Sequence, residues 1–252
     1  MSDMTIRRPV KWSSAAETDI GKVRQINEDA VIARPDVGLW AVADGMGGYE
    51  AGNVASGMIV KSLEGLSFNE HLNDAVDSIE DCIIDVNQRI LEYAEIMLEG
   101  RTFGSTVVSF LIKGQVGICL WAGDSRLYRY RNQKLELLSR DHSRVEELLQ
   151  RGLLTPEESK EHPESNVITR AVGMNGDFCL DMTAFRVQIG DTFLLCSDGL
   201  YNAVDDDEIV ANLTPFAPEE AVERLIACAL DNGGPDNVSV IVIKGSQHTV
   251  DQ

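Results

Sequence analysis

At 252 residues, with 44% hydrophobic and 25% charged side chains, the chain has the make-up of a globular protein long enough to bury a sizeable core. A formal charge of −19 argues against nucleic-acid binding, which needs clustered Lys and Arg; it fits a protein that holds cations, or one kept soluble by its charge. The charged start (Asp3, Arg7, Arg8, Lys11) is no signal peptide and no apolar run is long enough for a membrane span, so the expected location is cytoplasmic.

The first predicted element is a turn around Gly21 feeding a strand, with Arg24, Asn27, Glu28 and Asp29 near the strand's end. Residues 39–43 are a small, apolar run with the character of a strand buried on both faces, and it stops at Asp44-Gly45. Residues 51–66 read as a helix rich in small side chains. A longer helix over about 70–98 repeats Leu72, Val76, Ile79, Ile83, Val86 and Ile90 at steps of three and four. Strands follow at 105–112, 116–122 and 127–131. The charged stretch 143–165, with Thr155 as N-cap and Pro156 at the first helical position, reads as a short helical insertion near the surface. Strands resume at 180–187 and 191–197, helices at 205–213 and 218–230, and the last strand at 238–243. Strands in consecutive groups, with amphipathic helices early and late, predict antiparallel sheets covered by helices, in one domain over 1–252.

Five cysteines (Cys82, Cys119, Cys179, Cys196, Cys228) include no C-x-x-C pair and read as buried thiols. The histidines His71, His142, His162 and His248 read as surface residues. The acids are more telling. Apolar runs ending at Asp44, Asp124 and Asp198 repeat one design, and Glu28, Asp29 and Asp236 flank further strands. Carboxylates packed together repel and hold their protons unless cations relieve them. Oxygen ligands without Cys or His suit Mg²⁺ or Mn²⁺, and such centres suit phosphate hydrolysis. Arg24 reads equally as a solvated strand residue or as a fork for phosphate oxygens.

Eight short motifs, in order, resemble the metal-dependent Ser/Thr protein phosphatases of type 2C (PPM), in their short bacterial form. They are Gly21 to Ala30, Val42 to Gly48, Gly104 to Thr106, Ala122 to Arg126, Leu138 to Ser143, Ile168 to Gly173, Cys196 to Leu200 and Gly234 to Ser239. The resemblance implies an α+β, four-layer αββα sandwich of two antiparallel β-sheets flanked by helices. It also implies hydrolysis of phosphoserine and phosphothreonine by water activated at a centre of two Mn²⁺ or Mg²⁺ ions. By position Asp44 bridges the ions and Gly45 offers its carbonyl. Asp198 and Asp236 complete one shell, and Glu28 and Asp29 serve the other. Asp124, with Asp198, serves a third, weaker ion, Arg24 grips the phosphate, and Asn237 supports the neighbouring ligand. Residues 143–165 match the family's flap. The implied partners are phosphorylated Ser/Thr proteins and a bacterial Ser/Thr kinase that the enzyme opposes, with a monomer as the default and a secretion-system switch as one setting.

Two positions depart from the family. Met46 stands where eukaryotic members carry a His proposed as general acid, and Tyr49 where bacterial relatives often have His. Neither is a ligand position. The competing readings are a phosphoprotein-binding relative that has lost catalysis and a metallophosphoesterase of small molecules.

Overall fold

The computed structural model describes residues 10–47, 51–97, 99, 101–160 and 162–247. Tyr49 and His248 lie outside these. Two antiparallel sheets form the centre. One runs in the order β1 (Val10–Asp19), β11 (Val238–Gln247), β10 (Thr192–Cys196), β7 (Arg126–Arg131), β8 (Lys134–Leu137). The other runs β2 (Asp29–Arg34), β3 (Leu39–Met46), β5 (Val107–Lys113), β6 (Val116–Ala122), β9 (Asp181–Arg186), with β4 (Gly104–Ser105) on the end of β3.

The two-residue period of a strand, buried on both sides, explains the near-continuous apolar runs. Trp40 and Val42 of β3 point between the sheets and meet Phe110, Trp121, Phe193 and Ile241. The alternate residues Leu39, Ala41 and Ala43 point outward, under the helices α1 (Ala51–Glu64) and α2 (Leu72–Met97). On the second sheet Leu194, Val240 and Val242 face α5 (Asp198–Tyr201), α6 (Asp206–Leu213) and α7 (Pro218–Asp231). Three stacked cores give the four layers, as the sequence led us to expect.

The charged insertion carries α3 (Arg144–Gln150) and α4 (Pro156–Lys160). Ser143 Oγ caps α3 by accepting the Glu146 N–H, and a Ser143–Ile168 bridge closes the base of the excursion. Several expectations need correction. Strand β1 precedes the Gly21 turn, and β2 begins only at Asp29, so Arg24, Asn27 and Glu28 lie in a loop before the strand rather than near its end. β8 was not anticipated. Cys179 is exposed and Cys82 and Cys228 are half-buried; only Cys119 and Cys196 are buried thiols. His142 is 9% exposed, not a surface residue, because its ring stacks on Trp121.

Candidate active site

The strand ends of both sheets converge on one edge of the sandwich. Asp29 and Asp44 are register partners at the end of the β2–β3 ladder. Asp198 opens the single-turn α5 after β10, Asp236 lies in the loop before β11, and Asp124 lies in the loop after β6. These five acids share one electrostatic field. Burial, then repulsion from Asp29, Asp198, Asp124 and Asp236, holds the Asp44 carboxyl well above its ordinary range. Burial also lifts Asp29 and Asp124 to about 6 and, helped by Asp124 and Asp236, Asp198 to about 7.

Each acid is fixed by its surroundings. Asp29 Oδ2 accepts from Ser197 Oγ and Ser239 Oγ, both at 2.7 Å, so a carboxylate on one sheet is tied to two strands of the other. Its Oδ1 is buried with no hydrogen-bond partner. Asp44 is held through its backbone: its N–H donates to Thr106 Oγ1 at 3.1 Å, and its carbonyl accepts from the Thr106 N–H and Ser105 Oγ. Those bonds break the expected 105–112 strand in two at Thr106. Glu28 Oε1 accepts the Gly52 N–H at 3.0 Å in the first turn of α1, and the Glu28 carbonyl accepts from Gly45 N–H and Ser56 Oγ. A Cβ on Gly45 would lie 2.2 Å from the Gly52 carbonyl oxygen, so only glycine fits there. Asn237 Oδ1 accepts the Glu28 N–H while Nδ2 donates to the Ile20 and Ile26 carbonyls, which fastens the Arg24 loop to the Asp236 loop.

Arg24 Nη2 lies 2.6 Å from Asp236 Oδ2, with its side chain half exposed above the acids. That hydrogen bond raises the guanidinium pKa further. Among the described residues no three His, Cys, Asp or Glu side chains are arranged to hold a metal ion as they stand. Arg24 on Asp236 and Gly52 on Glu28 each take up a potential ligand atom. The donor set nonetheless fits hard cations: oxygen only, a cross-strand acid pair, an orphaned buried Asp29 oxygen, and glycines admitting the backbone.

Residues 22–233 match the family described as protein phosphatase 2C. The chain belongs to the protein phosphatase 2C family. Over 229 residues it is 38% identical to the serine/threonine protein phosphatase PstP of Mycobacterium tuberculosis, an alignment covering 90% of this chain and 44% of PstP. The chain thus spans less than half the length of that relative. Solved structures match nearly all of both chains. PppA, described as a key regulatory component of T6SS in Pseudomonas aeruginosa, superposes with a TM-score of 0.87 at 40% identity, over 95% of this chain and 100% of PppA. The catalytic domain of PstP in complex with two manganese ions gives a TM-score of 0.84 at 34% identity, over 94% of this chain and 99% of that one.

On this phosphatase 2C framework, several residues that hold the acids went unrecognised in the sequence. Ser239 interrupts an apolar strand, and a lone hydroxyl in such a run was the available signal. Thr106 Oγ1 also lies 2.7 Å from Ser125 Oγ, beside Asp124. His142 accepts the Gly123 N–H on its ring Nδ1 at 3.1 Å, and its backbone N–H donates to the Gly123 carbonyl. Burial pushes the His142 pKa down, so the neutral ring carries its proton on Nε2, 3.2 Å from Asp181 Oδ2. Thr106, Ser125 and His142 all stand within the family motifs, but the motifs do not signal these contacts. Met46 packs its terminal methyl near Gly104 and offers no proton.

Proposed function

We propose that this chain is a metal-dependent protein serine/threonine phosphatase, acting as one domain over 1–252 with a flap at 143–165. The observation that carries the reading is the convergence of Asp29, Asp44, Asp124, Asp198 and Asp236 on one edge of the sandwich, with Arg24 paired to Asp236. Asp44, the Gly45 carbonyl, Asp198, Asp236, Glu28 and Asp29 are the proposed holders of two Mn²⁺ or Mg²⁺ ions, with Asp124 and Asp198 for a third. When bound, such ions lower the pKa of a water and offset charge on phosphoryl oxygens. Arg24 turns its fork from Asp236 to the phosphoryl oxygens and orients the ester for attack. Ser197 and Ser239 donate to Asp29 and so offset part of the cost that burial puts on its charge. Met46 leaves the His position of eukaryotic members without an acid.

A cleft of about 950 Å³ opens between the flap and α5–α6, lined by Asp124, Asp141, Asp205, Asp206, Asp207 and Glu208 around Arg126. Its negative walls disfavour nucleotides and other polyanions and leave room for a peptide segment, which supports a phosphoprotein substrate over a small phosphoester. The presence of every expected carboxylate speaks against a binding-only relative. The likeness to PstP, a serine/threonine protein phosphatase, supports phosphoprotein substrates; an opposed Ser/Thr kinase, a cytoplasmic location and a monomeric state are proposed with it. Among the described residues no helix is long and apolar enough to cross a membrane.

The test is Mn²⁺-dependent phosphate release from a phosphothreonine peptide by the native chain and by Asp198→Asn. Activity in the first, lost in the second with an unchanged circular dichroism spectrum, is the expected result. Mn²⁺ binding without release from any peptide would overturn the reading and favour the binding-only relative; release from nucleotides alone would favour the small-molecule esterase.

A further inference from the structure

The loop that carries Asp124 is held at three successive residues by side chains that are not proposed ligands. His142 brackets the Gly123 peptide from behind, Ser125 Oγ meets Thr106 Oγ1, and Tyr201 Oη donates to the Asp124 carbonyl at 3.1 Å. Gly123 itself adopts φ +111°, and a Cβ there would meet the Thr106 side chain at 2.5 Å, so the loop is tightly seated. Of the three supports only Tyr201 stands on an element with a proposed ligand of its own. It lies three residues after Asp198 in α5, on the same side of that turn.

The tyrosine is held as firmly as what it holds. Its ring lies under the Arg126 guanidinium, with Cζ 3.5 Å from the ring centroid. Arg126 is locked in turn: Nε and Nη2 donate to Asp141, the latter at 2.7 Å, and Nη1 donates to Tyr128 Oη at 2.8 Å.

We propose that Tyr201 is a positioning residue: its hydroxyl ties the Asp124 peptide to the helical turn bearing Asp198 and so sets the spacing of those two carboxylates. On the phosphatase reading above, that spacing governs the weaker, third cation site rather than the two core sites. The ring is apolar packing; the hydroxyl is the functional part.

Tyr201→Phe removes the hydroxyl and keeps the ring under Arg126. Two measurements on the metal-free and the Mn²⁺-titrated protein test the role. Backbone hydrogen exchange at residues 123–126 in the absence of metal is expected to quicken about fivefold, with exchange in the β10–β11 core unchanged. Calorimetric titration with Mn²⁺ is expected to leave the tighter sites as in the native chain and to weaken the weakest class about fivefold. Unchanged exchange with an unchanged isotherm would overturn the proposal, as would exchange quickened evenly across the molecule or an isotherm with no weaker class in the native chain. Should neither protein release phosphate while both measurements differ as stated, the phosphatase reading falls and the positioning role stands.

Discussion

Asp29 and Asp44 stand directly opposite each other across the β2–β3 ladder, two carboxylates where an opposite-charge pair would bind the strands better. The metal-free protein carries this repulsion as a cost. Asp29 and Asp124 near 6, Asp198 near 7 and Asp44, held well above its ordinary range, all keep protons in the folded state that the unfolded chain has released above about 4. Folding therefore takes up protons, and this part of the stability falls as pH rises from about 4 through 7. Urea unfolding in EDTA is expected to show lower stability at pH 7.5 than at pH 5.5, with Mn²⁺ reversing the order. Equal midpoints in EDTA would mean that the acids do not repel.

Arg24 pairs with Asp236 while its side chain stays half exposed to solvent. Arg24→Ala is expected to lower kcat/KM on a phosphothreonine peptide about 50-fold, the worth of a charge-assisted bidentate contact, while Mn²⁺ binding holds or tightens because Asp236 is freed. Arg24→Lys should recover only part of the loss. Initial rates paired with Mn²⁺ titration decide it, and a fully active Arg24→Ala would remove Arg24 from the site.

Gly45 has no room for a side chain. Gly45→Ala forces β3 away from Gly52 and Glu28, at a cost of about 2 kcal/mol, or a Tm lower by about 5 °C. Differential scanning calorimetry reads the shift; an unchanged Tm would show that α1 gives way without cost.

Asp191 offers a contrast, distant from the acids. It is 1% exposed, accepts from Arg131 Nε and Nη2, each at 2.6 Å, and accepts the Gln188 N–H. Asp191→Ala strands Arg131 and that amide, and is expected to cost about 3 kcal/mol while the remaining folded protein keeps its kcat. A loss of kcat at full folding would place Asp191 in the chemistry instead.

Much of this was legible in the sequence because it rests on local pattern. Two-sided strands such as Leu39–Met46 announce themselves as unbroken apolar runs, and an acid at the end of such a run marks the edge where strands from both sheets meet. What could not be read were contacts between distant residues of ordinary type. Nothing in Ser197 or Ser239 says that both will serve Asp29, nor in His142 that it will leave the surface to brace Gly123. The break at Thr106 was invisible for the same reason, since hydrogen bonds to Asp44 cause it. The loop position of Arg24 was missed because β1 pairs with β11, a partner more than two hundred residues away.

That pairing has a consequence in time. Val10 is matched with Gln247 and Asp19 with Val238, so the first strand finds its neighbour only once the last has been made. Arg24 likewise waits for Asp236, and Glu28 for Asn237. A chain growing from its N-terminus can pair β2 through β6 early, from contacts close in sequence, yet the acid cluster stays incomplete until β11 docks. A half-made chain thus holds Asp44 without Asp198 or Asp236, and the late seam leaves the acid cluster open until the last strand is in place.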